Sequence, residues 1–298
     1  MKAGNIAMNQ DRALTVDSDR TLPPTEQPRV AAHFDFTPNR EADWRGVGLR
    51  AFLQYRDLGL RRATNGLMKA EVIRGTGGDG VATTGWHCHD LDFQFVFCLK
   101  GFVHFVAEDG TKATLRPGDG TCIPPLFRHN ETELSADCEL LQITAPADYE
   151  TIAGEGPPGR TRTERPGRID RFIVDKDAPG AYKVGDGPRS FLAYRDAGVT
   201  DATGRRVNIN IVRMSEARDA STGWHYHTLS CQFVFVLKGW TKVAVEGHGT
   251  FTLHAGDAMT IPHGLRHDVP GFSGDFTVLE LNMPADYETI ATEAPAAA

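Results

Sequence analysis

Residues 85–101 read GWHCHDLDFQFVFCLKG, and residues 223–239 read GWHYHTLSCQFVFVLKG. Twelve of the 17 positions are identical. Each stretch places two histidines one residue apart, in front of a Val- and Phe-rich run that is typical of a buried strand. Because alternate side chains of a strand point to the same face, the two histidines of each pair can face the same interior.

The similarity extends well beyond these stretches, because Gly118, His129 and Pro146 each recur 138 residues later. So long a period indicates duplicated domains rather than a solenoid. The predicted limits are an arm at 1–28, one domain at 29–152, a Gly-, Pro- and Arg-rich linker at 153–170, a second domain at 171–291 and a tail at 292–298.

Short apolar runs with turn signals between them predict an all-β fold in each copy. The dipeptide Asp109-Gly110 and its counterpart His248-Gly249 mark hairpin tips. Many short strands at this spacing favour a sandwich or a barrel. Only the recurring segment PADYETI, which begins at Pro146 and again at Pro284, is predicted to be a short helix.

Further polar residues recur beside the histidine pairs. A glutamine follows each pair by five residues, and a third histidine lies on a later predicted strand. Three imidazoles and an amide oxygen on converging strands are suited to a metal ion. The candidate ligands are His87, His89, Gln94 and His129 in the first copy, and His225, His227, Gln232 and His267 in the second.

These motifs resemble those of the cupin superfamily. The HxH pair and the glutamine match its first motif, except that glutamine replaces the usual carboxylate. The second motif is matched by Gly256, Pro262, Gly264 and His267, while in the first copy Leu126 replaces the inner glycine. The resemblance implies a bicupin, two tandem jelly-roll (double-stranded β-helix) barrels with few short helices, and up to one divalent metal ion in each.

Glutamine in place of glutamate has chemical consequences. Neutral ligands leave the full dipositive charge on the ion, which favours anionic ligands. A glutamine outside the ligand shell would instead leave about three open positions of an octahedron, as in three-histidine dioxygenases. Glutamine cannot serve as a general base, and Asp92, Glu139 and Tyr226 are nearby candidates for that role.

The metal is less well specified than its ligands. Imidazole binds iron, zinc, nickel, copper and cobalt alike. The family resemblance favours Fe(II) or Mn, and leaves Zn, Ni, Co and Cu open.

The predicted function is that of a metal-dependent, dioxygenase-like enzyme acting on a small anionic, enolizable or aromatic molecule. The alternative is a non-catalytic metal or small-molecule binder, either a sensor or a structural protein. A net charge of −7 argues against nucleic-acid and anionic-membrane partners. A signal peptide or membrane span is not evident, so a cytoplasmic protein is expected, with a homodimer as a candidate assembly.

Other residues carry secondary expectations. The five cysteines lack a disulfide-like pattern and are expected to be reduced and packed, with Cys88 rejected as a ligand. Arg128 and Arg266 are expected in ion pairs, and the two Tyr-Arg-Asp triplets, which begin at Tyr55 and Tyr194, in inter-domain or dimer contacts.

Overall fold

The computed structural model of the 298-residue chain describes residues 32–46, 52–76, 83–155, 172–178, 180–185, 189–216 and 220–296. The predicted arm and most of the predicted linker lie outside these ranges. Within them the chain forms 23 strands, one short 3₁₀ turn and two four-residue α-helices, so the all-β prediction is confirmed. Neither helix has the length or apolar character needed to cross a membrane.

The first copy contains eleven strands, of which the longest is the Val- and Phe-rich run of the quoted sequence. Its helix α1 spans Leu60–Ala63, and the 3₁₀ turn spans Glu41–Asp43. The strands are β1 (Asp35–Thr37), β2 (Leu53–Asp57), β3 (Lys69–Gly75), β4 (His87–Asp90), β5 (Phe93–Lys100), β6 (Val103–Ala107), β7 (Lys112–Leu115), β8 (Gly120–Ile123), β9 (His129–Leu134), β10 (Glu139–Ala145) and β11 (Glu150–Ala153).

The second copy repeats this order with one additional short strand near its start. Its helix α2 spans Val199–Ala202. The strands are β12 (Ile173–Asp175), β13 (Lys183–Val184), β14 (Leu192–Asp196), β15 (Asn208–Met214), β16 (His225–His227), β17 (Cys231–Lys238), β18 (Trp240–Val245), β19 (Gly249–His254), β20 (Ala258–Pro262), β21 (His267–Phe272), β22 (Thr277–Met283) and β23 (Thr289–Ala291).

Each copy folds into a barrel made of one large and one small antiparallel sheet. In the first barrel the large sheet has the order β12-β8-β5-β10-β3-β2, and the small sheet β11-β4-β9-β6-β7. In the second barrel the orders are β1-β20-β17-β22-β15-β14-β13 and β19-β18-β21-β16-β23. The matching orders show that the duplication in sequence is a duplication in structure.

The two barrels exchange their leading strands. Strand β1, from the start of the first copy, pairs with β20, so that Thr37 lies opposite Ala258. Strand β12, from the start of the second copy, pairs with β8 in the same register, so that Asp175 lies opposite Gly120. The domain limits remain a prediction, and each predicted domain contributes one strand to the other's large sheet.

Three apolar cores hold this arrangement together. One core fills each barrel, around Phe105 in the first and Val243 in the second. The third combines Phe95 and Phe97 with Phe233 from the second copy, so it lies between the two large sheets. Alternation along β5 explains the division, because Val96 points into the first barrel while its phenylalanine neighbours point to the second copy.

The arginines of the two Tyr-Arg-Asp triplets make polar contacts between the copies. The Nη2 atom of Arg56 donates to the carbonyl of Gly256 over 3.0 Å, and that of Arg195 donates to the carbonyl of Gly118 over 2.7 Å. The two acceptors are themselves 138 residues apart. The expectation of an inter-domain contact is therefore confirmed.

The helix predicted for PADYETI is wrong in both copies. Residues 150–153 form β11, which pairs with β4, and residues 289–291 form β23, which pairs with β16. Pairing with the histidine-bearing strand satisfies the backbone of this segment, and this outweighs the local signals for a helix start. It also brings Thr151 and Thr289 beside the histidines.

Candidate metal centres

Three histidines converge inside the first barrel and define the first centre. His87 and His89 lie two residues apart on β4, and His129 begins β9 directly opposite His87. One ring nitrogen from each lies within 4.8 Å of the other two, and all three side chains are buried. The alternation predicted from the HxH spacing is therefore the arrangement that the fold adopts.

The second centre repeats this geometry. His225 and His227 lie on β16, and His267 begins β21 opposite His225. The ring centroids of His225 and His267 are 4.3 Å apart, as are those of His87 and His129. The two centres are thus closely similar in their imidazoles.

The Nδ1 atoms of the histidines are engaged by neighbouring oxygens. His87 Nδ1 lies 2.8 Å from the carbonyl oxygen of Gly85, and His129 Nδ1 lies 2.9 Å from that of Phe127. A carbonyl only accepts, so Nδ1 carries a proton in these rings, and in the neutral imidazole Nε2 then presents a lone pair. The Nδ1 atom of His89 lies 3.0 Å from Thr151 Oγ1, on the strand that was predicted to be a helix.

The second centre orients its rings in the same way. His225 Nδ1 meets the carbonyl of Gly223 at 2.6 Å, and His267 Nδ1 meets that of Leu265 at 3.0 Å. Thr289 Oγ1 lies 2.9 Å from His227 Nδ1. Supporting contacts of this kind orient metal-binding imidazoles.

Two buried atoms of the first centre lack hydrogen-bond partners. They are His129 Nε2 and Gln94 Oε1. An unsatisfied buried polar atom is costly, so its retention calls for a partner such as an ion. The donor set and its unsatisfied atoms therefore fit a divalent metal.

Burial keeps the imidazoles of the second centre neutral. Desolvation, together with the neighbouring imidazoles, lowers the pKa of His227 to about 2 and that of His267 to about 4. The pKa of His225 is also lowered, mainly by burial. Neutral imidazole is the form that binds metal ions, so the second centre has the charge state needed for coordination.

Gln94 lies on β5 and faces the same cavity as His87 and His89. Its Nε2 donates to Gln142 Oε1 over 3.2 Å, and Gln142 Nε2 in turn donates to Glu71 Oε1 over 3.2 Å and to Tyr149 Oη over 3.0 Å. This chain of bonds fixes the orientation of the Gln94 amide. Gln232 lines the second cavity together with its three histidines.

Glu131 lies beside the first centre and is not among the ligands predicted from the sequence. Its Oε2 lies 3.8 Å from His87 Nε2, and its Oε1 lies 3.8 Å from His129 Nε2. Each carboxylate oxygen is thus within ion-pair distance of one imidazole, while the group whose ligand atoms lie within 4.8 Å of one another consists of the three histidines. Thr84 Oγ1 also contacts Glu131 Oε2. The sequence contains a signal for this position, because Glu131 follows His129 by two residues and therefore lies on the same face of β9.

The cavities at the two centres differ strongly in size and lining. The first has a volume of about 390 Å³ and includes Lys69, Glu71 and Glu131 in its wall. The second has about 90 Å³ and is mainly apolar, with Val269 in the position that corresponds to Glu131. The two copies therefore share their histidines but not the space around them.

Several other predicted residues are placed by the structure. Asp92, Glu139 and Tyr226 are absent from the walls of both centres. All five cysteines are free and buried, as predicted, and Cys88 is outside the metal-binding group.

The two arginines before the last histidine of each centre behave differently. Arg266 pairs with Glu246, as expected, with Nε 2.7 Å from Oε2. Arg128 Nη1 donates instead to the carbonyl of Glu155 over 3.1 Å.

Comparisons with known proteins agree with the fold. The family model described as "Cupin domain" matches residues 212–281, within the second copy. A search of curated protein sequences finds no significant match.

Solved structures similar to this chain include two kinds of enzyme. An oxalate decarboxylase from Lactobacillus farciminis, in complex with formate, superposes with a TM-score of 0.58 at 15% identity, covering 90% of this chain and 91% of that one. A salicylate 1,2-dioxygenase variant from Pseudoaminobacter salicylatoxidans gives 0.58 at 13%, covering 79% and 80%. The Bacillus subtilis oxalate decarboxylase, described with Mn(II) centres, gives 0.57 at 14%, covering 90% and 81%.

The chain therefore has the fold of a two-domain cupin, with tandem jelly-roll barrels, and its second copy matches the cupin family model.

Proposed function

We propose that the chain is a metal-dependent enzyme whose reaction takes place in the first barrel, on a small carboxylate-bearing, enolizable or aromatic molecule. The observation that supports this proposal most directly is the cavity of about 390 Å³ beside His87 and His89. A volume in this range is typical of small-molecule sites. The names of the two similar enzymes refer to oxalate and salicylate, which are both small carboxylates.

The ion would be held by the Nε2 atoms of His87, His89 and His129, with Gln94 Oε1 as a further ligand. His225, His227, His267 and Gln232 would hold a second ion. A bound divalent metal supplies a Lewis acid that polarises an oxygen ligand and favours anionic substrates. Fe(II) or Mn is the preferred ion, and Zn, Ni, Co and Cu remain candidates; Mn(II) is the metal named for the Bacillus subtilis relative.

Glu131 sets the charge of the first centre. With three neutral imidazoles and one amide, a dipositive ion keeps its full charge, and a carboxylate lowers the total to about +1. A carboxylate beside the ion can also accept a proton from a substrate, which the amide of Gln94 cannot do. Glu131 therefore supplies the base that the motif glutamine lacks.

The cavity wall offers complementary groups for such a substrate. Lys69 Nζ lies 2.9 Å from Glu71 Oε1 and 5.4 Å from the centre of the Tyr149 ring, so a cation is held at the rim. It is suited to orient a second anionic group of the substrate. Ile73, Val96 and other apolar residues line the remainder and suit a ring or a short aliphatic chain.

The alternative reading, a structural metal, applies best to the second barrel. Its cavity of about 90 Å³ leaves little room beside the histidines, and Val269 and Phe272 form part of its wall. An ion there would stabilise the barrel by binding only the folded state. We therefore assign catalysis to the first centre and a structural role to the second.

The test is a substrate screen on protein loaded separately with Fe(II) and with Mn(II). Hydroxybenzoates, catechols, diketones and short dicarboxylates would be offered, while dioxygen uptake and carbon dioxide release are measured. Turnover of one class, abolished by chelation and restored by metal, is the expected result. Tight metal binding with no turnover of any class by either form would contradict the enzymatic proposal and favour the non-catalytic alternative.

A further inference from the structure

A third cavity lies between the barrels, away from both metal centres. Its volume is about 550 Å³, and residues of both copies line it. Five basic side chains face it, namely Arg56, Arg74, Lys100, Arg195 and Lys238. Three acidic side chains share the wall, namely Glu41, Glu139 and Asp177. The lining is therefore net positive.

The two arginines in the depth of this cavity have different surroundings. Arg195 is 1% exposed, and its Nη1 pairs with Asp175 while its Nε lies 3.7 Å from Asp177 Oδ1. Its charge is thus neutralised by two carboxylates of the exchanged strand β12 and the residues after it. Buried charges are normally paired in this way.

Arg56 is the counterpart of Arg195 and lacks these carboxylates. It is 2% exposed, and its Nε and Nη1 atoms are buried without a hydrogen-bond partner. Thr37 and Asn39 occupy the positions of Asp175 and Asp177. The correspondence is structural as well, because the backbone N–H of Asn39 donates to Asp257 as that of Asp177 donates to Asp119.

The electrostatic effect of burial differs accordingly between the two arginines. Desolvation lowers the pKa of Arg56, and Asp257, Asp43 and Glu139 oppose that effect only through space. The pKa of Arg195 is raised despite desolvation, because Tyr182 and Asp175 stabilise its charged form. The Nε atom of Arg195 also lacks a hydrogen-bond partner but lies 3.7 Å from Asp177 Oδ1, whereas Arg56 has two such atoms and no carboxylate in an ion pair with it among the described residues.

The entrance to the cavity carries a symmetric pair of cations. Lys100 and Lys238 are 138 residues apart and more than half exposed. Their contacts, with Asp137 at 4.0 Å and Asp275 at 3.7 Å, are surface pairs that neutralise little. Exposed cations above a buried one attract anions toward it.

We propose that this inter-barrel cavity binds a small oxyanion, a carboxylate or a phosphate, against the Nε and Nη1 groups of Arg56. The Arg56 guanidinium would donate charge-assisted hydrogen bonds to the anion, as Arg195 donates to Asp175. Because Arg56 also donates to Gly256 of the second copy, the bound anion would strengthen the contact between the barrels. This site is separate from both metal centres and does not depend on the proposed reaction.

The test uses isothermal titration of the full chain with inorganic phosphate and with malonate, both in metal-loaded and in chelator-treated protein. Binding of one equivalent that survives chelation is expected, since the metal centres are then excluded as the site. The anion that binds more tightly, phosphate or malonate, shows whether the site prefers a phosphate or a carboxylate. Absence of binding of both anions would overturn the proposal.

Three variants assign the site to Arg56. Thr37→Asp copies the second repeat and provides an internal carboxylate, so it should raise the melting temperature in anion-free buffer and weaken anion binding at least about tenfold. Arg56→Met removes the charge and should weaken binding equally. Thr37→Val, the matched neutral control, should bind like the wild type. Wild-type affinity in Thr37→Asp or in Arg56→Met would overturn the assignment.

Discussion

The two copies keep the same three histidines, with equivalent partners at Nδ1 and the same glutamine, and differ in the cavity that lies beside them. The first centre has Glu131 beside its ring nitrogens and opens into about 390 Å³. The second has Val269 in the corresponding position and only about 90 Å³. The histidine geometry is thus common to both copies, whereas the larger cavity and a carboxylate 3.8 Å from two of the imidazole nitrogens belong to the first copy; the carboxylate in the wall of the second cavity is Glu280.

A histidine deletion in each copy gives the largest expected difference. His87→Ala should lower kcat/KM on any substrate found in the screen by roughly 10³-fold or more, because the ion at the reacting centre is lost. His225→Ala should keep most of the activity, measured at a temperature where both variants are folded. Elemental analysis should show one metal equivalent lost in each variant. Equal losses of activity in the two variants would contradict the assignment of catalysis to the first centre and of a structural role to the second.

The buried arginines provide the next contrast. Asp175→Asn leaves Arg195 without its closest carboxylate, and the free energy of unfolding should fall by about 3 kcal/mol, as for other broken buried pairs. Thr37→Val, at the corresponding position in the first copy, removes the hydrogen bond from Thr37 Oγ1 to Asp35 Oδ1 and should lower it by only about 1 kcal/mol. Urea denaturation of both variants measures the difference. A loss below 1 kcal/mol for Asp175→Asn would mean that Arg195 does not depend on that contact.

Exchanging residues 131 and 269 tests the role of the carboxylate. Glu131→Val should weaken Mn(II) binding at the first centre by roughly 10- to 100-fold, because a negative charge beside the ion is lost. The matched change Val269→Glu should strengthen binding at the second centre. Competition titrations, with electron paramagnetic resonance to separate the two Mn(II) signals, provide the measurement. An unchanged affinity for Mn(II) in Glu131→Val would mean that Glu131 contacts His87 without contributing to metal binding.

The smallest expected effect is a dependence of stability on pH. The folded-state pKa values of His227 and His267, about 2 and about 4, lie below the ordinary value near 6.5. The unfolded chain therefore takes up protons first, and stability is lost as pH falls below about 6.5.

For metal-free protein the loss at pH 5.5 is about 1 kcal/mol for each histidine. Denaturation curves between pH 7.5 and 5.5 measure it, and His227→Gln should reduce the slope. A slope that His227→Gln leaves unchanged would place its origin elsewhere in the chain.

Much of this molecule could be predicted from the repeat and the HxH spacing. Alternation along a strand places His87 beside His89, and the 138-residue period predicts a second set in an equivalent barrel. The same alternation could have identified Glu131. Residues 150–153 were misassigned because the strand they form depends on pairing with β4, a contact distant in sequence.

The exchange of β1 and β12, and the difference in cavity size, were beyond such reasoning. Both depend on which strands meet in three dimensions. The ion pair between Arg195 and Asp175 could not be predicted from the sequence either, because Asp175 lies on the exchanged strand.

The exchanged strands bear on how such a chain can evolve. One copy made alone would lack a strand and would have to take it from a second molecule, and two copies that did so reciprocally would form a closed homodimer. Joining them in one polypeptide makes the exchange intramolecular, at high effective concentration. Joining the copies also allows their sequences to diverge independently. One copy can then gain or lose a carboxylate at its metal centre, or the counter-ion of its buried arginine, while the other copy keeps its own.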